Sequence, residues 1–166
     1  MDAGERLRLV TRNAEETITP EEMRRLLGEE RHPRAYWGFE CSGLMHLGLG
    51  LVCGSKIRDL VEAGFDFTIF LADWHSWINN KLGGDMEKIR LCGEYFRECF
   101  TALGVKPDSV RYVWASDIAG DRDYWETVIR VAKAVSLQRT WRALPIMGRE
   151  MSLTDMETAW VYYPCM

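Results

Sequence analysis

The stretch Tyr36-Trp37-Gly38-Phe39-Glu40-Cys41-Ser42-Gly43-Leu44-Met45-His46-Leu47-Gly48-Leu49-Gly50 changes character in its middle. Its first part, with Ala35, is short, aromatic and preceded by the loop residues Arg31-His32-Pro33-Arg34, which is the pattern of a strand. Glu40-Cys41-Ser42-Gly43 is a glycine-bearing turn. The last part opens a helical pattern through Leu51, Ile57, Leu60 and Val61, stopped by Gly64 as the residue just past a helix end. Phe65 to Leu71 is a β-branched and aromatic run, a second strand. Strand, turn, helix and strand in this order make a βαβ unit, with a parallel pair and a right-handed crossover. In such sheets ligands bind beyond the carboxyl ends of the strands, at helix N-termini. Residues 40–50 occupy that place. Glycines at 43, 48 and 50 admit a close backbone or a flat ring. His46 can donate a hydrogen bond to a phosphate, and the helix dipole favours negative charge there. Ordinary packing also produces a lone histidine and three glycines near a helix start, so these features alone leave both readings open.

Outward from this unit the pattern continues. On the N-terminal side, Thr19-Pro20-Glu21-Glu22 caps a helix with Met23, Leu26 and Leu27 on one stripe. On the C-terminal side, Gly83-Gly84-Asp85 is a break and a cap. Ile89, Cys92, Phe96, Cys99, Phe100 and Leu103 then fall at spacings of three and four, and Gly104 ends the helix. Val110 to Ala115 is a third strand. Asp121 to Leu144 is mostly helical, with Trp125, Val128, Ile129, Ala132 and Val135 on one side. Thr154-Asp155-Met156-Glu157 is a second capping box, whose helix carries Ala159 to Met166. The fold class is α/β: a Rossmann-like parallel sheet flanked by helices. Residues 1–30 form an N-terminal helical segment, and 31–166 the sheet-bearing part. Because the sequence stops inside an apolar helix, whose last carbonyls need partners, it is expected to be cut from a longer chain. The alternative is a short chain that buries this end in a dimer.

Composition narrows the function classes. With 47% hydrophobic and 28% charged residues the chain is an ordinary globular one. A net charge of −4 advertises no nucleic-acid partner, so any RNA contact is local or lies elsewhere. Five cysteines, an odd number with no C-x-x-C pair, argue against a disulfide framework and a structural zinc site. Free thiols fit a reducing cytoplasm. The opening MDAGERLRL has no signal-peptide core, and no apolar run approaches the roughly 18 residues of a membrane span. The seven tryptophans are most simply core and interface residues. Arg130, Lys133, Arg139 and Arg142 fit either RNA phosphates or a solvated helix face.

Gly38-Phe39-Glu40-x-Ser42-Gly43-x-x-His46-Leu47-Gly48 resembles the first signature, the "HIGH" element, of class I aminoacyl-tRNA synthetases, in the form of the archaeal and eukaryotic tyrosyl-tRNA synthetase family. Ala63-Gly64-Phe65-Asp66, Phe70-Leu71-Ala72-Asp73-Trp74-His75, Val113-Trp114-Ala115-Ser116, Pro145-Ile146-Met147-Gly148-Arg149 and Tyr162-Tyr163-Pro164-Cys165-Met166 are similar to further family segments, in the family's order. The resemblance covers roughly residues 20 to 166. It implies the first part of a catalytic domain that joins tyrosine to ATP as tyrosyl-adenylate and passes the tyrosyl group to tRNA(Tyr). Mg2+ would accompany the ATP, with no protein-bound metal. It implies a homodimer built by a helical insertion within about 85–150. By residue, it places Tyr36 at the substrate phenol, Gly38, Phe70 and His75 on the amino-acid pocket wall, and Tyr163 on the helix holding the substrate's amino group. Glu40, Ser42, Gly43, His46, Gly48 and Leu49 are placed on the ATP side, with His46 and Gly48 nearest the chemistry. A tyrosine that needs the substrate hydroxyl rejects phenylalanine, because it is otherwise left unpaired. Asp73 fits a helix cap and a pocket position equally.

The sequence departs from the family pattern in three places. The signature's second histidine is replaced by Leu49, which removes one donor to the phosphates, a loss worth about two to four kcal/mol in a barrier. Cys41 stands where proline is frequent and is expected to loosen the turn. The family's substrate-binding glutamine and acidic residue, its "KMSKS" loop and its anticodon-binding domain have no counterpart within residues 1–166. Two other readings stay open: another class I nucleotidyl-transfer enzyme such as a tryptophan-specific synthetase, and a non-catalytic fragment or paralogue that acts by association.

Overall fold

The computed structural model describes residues 1–143, 145, 165 and 166. Tyr163, the Thr154 capping box with its helix, and residues 146–149 lie outside the described residues. Strand β1 (Arg34–Phe39) pairs in parallel with β2 (Asp66–Leu71), and β2 in parallel with β3 (Val110–Trp114), giving the order β1-β2-β3. The expected parallel α/β sheet is therefore present. Gly38 stands opposite Phe70, and Phe70 opposite Val113.

Between β1 and β2 the chain makes a wide π-helical turn, Gly48–Cys53, that runs directly into α3 (Gly54–Glu62). Between β2 and β3 lie the short α4 (Asp73–Ile78) and the long α5 (Met86–Ala102), capped by Asp85, whose carboxylate accepts the Glu87 and Lys88 amides. One sheet face is covered by these crossovers. Phe39, Phe67, Ile69 and Leu71 meet Ile57 from α3 and Ile89, Phe96 and Phe100 from α5 in one core. Close packing shows at Gly93 on α5: a Cβ there would stand 2.3 Å from the Trp114 ring, so only glycine lets α5 lie against the end of β3.

The N-terminal segment is tied on by charge as well as by apolar contact. Helix α1 (Ala3–Thr11) opens at Asp2, in a capping box with Glu5. Helix α2 (Pro20–Glu29) opens at Thr19, as the sequence predicts. Val10, Leu27, Ala63 and Phe65 form a second small core between them and α3. The Arg6 guanidinium, 9% exposed, donates to the carbonyls of Ala63, Leu27, Glu30 and Arg31. Asp59 of α3 receives Arg12, with Lys56 beside it.

The predicted helix Asp121–Leu144 is two helices rather than one. After α6 (Ala115–Ile118), α7 (Arg122–Ala134) stops where Val135 turns extended, and the Ser136 hydroxyl accepts the Arg139 amide at the start of α8 (Leu137–Ala143). A β-branched residue followed by a strong cap favours this restart. Of the predicted apolar side, Val128 is buried while Ile129 is exposed. No helix among the described residues is long and apolar enough to cross a membrane.

Candidate active site

The three strands end together at Phe39, Leu71 and Trp114, so Glu40–Gly43, Ala72–Asp73 and Ala115–Ser116 share one edge of the sheet. The expected signature residues sit there. His46 and Gly48 are exposed at the mouth of the first crossover helix. The Leu49 amide donates to His46 Nδ1 at 3.2 Å. That bond places the imidazole proton on Nε2, which leaves Nε2–H as a donor toward a ligand. Gly48 leaves room for this pose, since a Cβ there would stand 3.3 Å from the His46 ring and press it aside by a few tenths of an ångström. The Leu49 side chain is half-buried and packs against the core, so what this residue gives the site is its backbone.

The turn itself is held from several sides. The Cys41 amide donates to Ser76 Oγ at 2.8 Å, and the Ser76 hydroxyl donates to the Ala72 carbonyl at 2.7 Å. Cys92 Sγ donates to the Gly43 carbonyl at 3.1 Å. Glu40, half-buried, accepts from Asn79 and lies 3.6 Å from the Lys81 ammonium. Ser42 is exposed. The expectation that Cys41 loosens the turn is not met. Proline has no N–H, and it is this N–H that anchors the turn to α4. Burial pushes the Cys41 thiol up to about 12, helped by Cys92, Asp73 and Glu40, so it is an inert packing thiol.

Asp73 is the first helical residue of α4 and is fully buried. Its carboxylate accepts the Trp74 amide at 2.9 Å, the Ser116 amide at 3.0 Å and the Ser116 hydroxyl, and lies 3.5 Å from Arg90 of α5. It thus caps α6 from across the sheet edge, a structural role for this carboxylate.

On the open face of the sheet, Tyr36, Phe70, Val113, Tyr124 and Met166 line a cavity of about 640 Å³. Gly38 borders Phe70, since a Cβ on it would stand 3.4 Å from that ring. His75 stands edge-on to Phe70, ring centroids 5.9 Å apart. Four of the five expected amino-acid-side residues are therefore neighbours, and the fifth, Tyr163, is outside the described residues. Tyr36 is 78% exposed, so its phenol is open rather than buried in this chain. Burial lowers the His75 pKa from its ordinary value, against the pull of Glu40 and Asp73, which favours a neutral ring. Tyr124, whose hydroxyl donates to the Met166 carbonyl at 3.1 Å, was not singled out by the sequence, nor were Ser76 and Asn79. Polar residues at i and i+3 on a short helix give the sequence no sign of which face is buried. Among the described residues no group of three or more His, Cys, Asp or Glu side chains is placed to hold a metal ion.

Comparisons with known proteins agree with this geometry. The tyrosine–tRNA ligase of Sulfurisphaera tokodaii is 43% identical over all 166 residues, which span 45% of that protein. The crystal structure of tyrosyl-tRNA synthetase from Aeropyrum pernix superposes with a TM-score of 0.90 at 41% identity, covering 99% of this chain and 48% of that one. The Pyrococcus horikoshii tyrosyl-tRNA synthetase complexed with L-tyrosine gives 0.90 at 42% identity, over 99% and 46%. The chain spans a little under half the length of these relatives. Residues 28–166 match the model of the class I tRNA synthetases (W and Y). A parallel sheet with the signature turn at its carboxyl edge, and a family match over most of the chain, lead to one conclusion: the chain belongs to the class I tRNA synthetases of the tryptophan and tyrosine type.

Proposed function

We propose that this chain is the signature-bearing half of a tyrosine–tRNA ligase, which activates tyrosine with ATP and transfers it to tRNA(Tyr). The observation that carries the reading is the cavity on the open sheet face, where Tyr36 and Phe70 line one hollow bordered by Gly38 and His75. An aromatic substrate would lie between these rings with its phenol at the Tyr36 hydroxyl, and its carboxylate would point to the strand ends. There the ATP α-phosphate would meet His46 Nε2–H and the helix N-terminus behind Gly48. In the reaction the tyrosine carboxylate oxygen bonds to the α-phosphorus as the bond to the pyrophosphate oxygen breaks. The residues contribute position and charge stabilisation rather than covalent chemistry. Glu40, Ser42, Gly43 and Leu49 shape the turn on the ATP side, and Tyr163 belongs to the amino-group side. Mg2+ enters with ATP as part of the substrate. The protein works in the cytoplasm as a homodimer built through the helices within about 85–150, and meets tRNA through parts beyond this chain.

The test is amino-acid-dependent ATP–pyrophosphate exchange by the natural protein with tyrosine, tryptophan and phenylalanine. Exchange with tyrosine alone is expected, and Tyr36→Phe should narrow the preference for tyrosine over phenylalanine by about tenfold, the loss of one hydrogen bond to the substrate phenol. Exchange with tryptophan would move the substrate to that amino acid. No exchange with any of them would favour an association module.

A further inference from the structure

Helix α4 joins the two halves of the site, and the buried bond in that join runs from the Cys41 amide to Ser76. Both residues are fully buried. Ser76 donates its own proton to the Ala72 carbonyl one turn back, so its lone pairs are aimed at the Cys41 N–H. Just past the end of α4, Asn79 holds Glu40, the preceding residue of the same turn. The helix is itself fixed at its start, where Asp73 receives Ser116 and lies against Arg90. It also carries His75 beside Phe70. The signature turn is therefore registered against the helix that carries His75, whose ring stands beside Phe70 in the cavity wall. From this geometry we infer that Ser76 is a positioning residue for the activation step: it sets the backbone of Glu40–Gly43, and through it the distance between the ATP side and the amino-acid cavity. The inference rests on the activity proposed above and deepens it. Its physical basis is that an ångström of misplacement between two reactants costs on the order of 10²-fold in rate, while each reactant's binding contacts survive.

Two measurements on the natural protein test it. In Ser76→Ala the turn keeps its side chains and its contacts to Asn79 and Cys92 but loses the anchor at the Cys41 amide. With active sites counted by titration, kcat for pyrophosphate exchange is expected to fall about 10–100-fold with the KM for tyrosine within about twofold. Ser76→Thr, which keeps the hydroxyl, should restore most of the rate. A merely structural serine would lower the titrated fraction and leave kcat per site unchanged, which overturns the inference. Independently of turnover, amide hydrogen exchange should show the Cys41 N–H losing protection by at least tenfold in Ser76→Ala, with Ile69 in β2 unchanged. Undiminished protection at Cys41 also overturns it. Wild-type protein that exchanges no pyrophosphate with any amino acid would overturn the proposed activity and the catalytic role of Ser76 with it, whereas an active wild type with an indifferent Ser76→Ala would overturn the inference alone.

Discussion

Replacing Arg6 by alanine should release the N-terminal helices from the sheet-bearing body. The guanidinium sends Nε to the Ala63 carbonyl at 2.7 Å, Nη1 to Leu27 at 2.8 Å and to Glu30 at 2.9 Å, and Nη2 to Arg31 at 3.2 Å. All four acceptors are backbone carbonyls at or just past helix ends, where carbonyls lack intrahelical partners. The bonds to Ala63 and Leu27 are buried, and those to Glu30 and Arg31 are half-buried. In the variant, water can reach the second pair, so most of the loss comes from the first. A hydrogen bond to a charged donor is worth about 1.5–3 kcal/mol, and the relief of returning the cation to water offsets part of that, leaving about 3 kcal/mol for the pair. Arg6→Lys keeps the charge but lacks the planar fork and should lose about half as much. Arg8→Ala, an exposed change on the same helix, serves as the charge control and should stay within about 0.5 kcal/mol. Urea unfolding followed by tryptophan fluorescence gives the differences, and hydrogen exchange locates them in α1 and at the end of α2. An Arg6→Ala midpoint no lower than that of Arg8→Ala would refute the reasoning, since it would mean that the four bonds merely replace equivalent ones to water.

Two further outcomes follow from the same contacts. Gly93→Ala puts a Cβ 2.3 Å from the Trp114 ring and should destabilise by about 1–3 kcal/mol in thermal unfolding, whereas Gly28→Ala in α2, which meets nothing within 4 Å, should hold or raise stability by up to about 1 kcal/mol. His75 has its pKa lowered by burial, so between its unfolded value near 6.5 and its lower folded value the unfolded chain binds the extra proton. Its contribution is intact above about 6.5 and is lost as pH falls below that; the slope of stability between pH 7 and 5 should flatten in His75→Gln and persist if the ring protonates freely in the fold.

What the sequence made legible follows a physical divide. The βαβ unit was readable because its signals are local. Aromatic and β-branched runs mark β1 and β2, and the apolar stripe of α5 repeats every three or four residues. Candidate positions Gly38, Phe70 and His75 were readable only through the resemblance; their meeting depends on the register that sets Gly38 opposite Phe70, which no local pattern specifies. The polar contacts that hold the site span long stretches of chain: 35 residues from Cys41 to Ser76, 43 from Asp73 to Ser116, 57 from Arg6 to Ala63. At such separations a serine or an arginine carries no sign of its partner, and a solvated reading serves as well.

Cys41 shows why the divide produces errors and not only gaps. Judged by itself, the lack of a proline at this turn means a looser backbone. Judged with Ser76, it means a backbone donor that a proline would have removed, satisfied by a hydroxyl that is itself oriented by the Ala72 carbonyl. Both residues are fully buried, so a proline at 41 would leave the Ser76 lone pairs without this donor, and an alanine at 76 would leave the Cys41 amide without an acceptor. Each single change thus strands a polar group, which couples the two positions. The signature turn is held less by the stiffness of its own residues than by a partner on another helix, and its flexibility is a property of the pair.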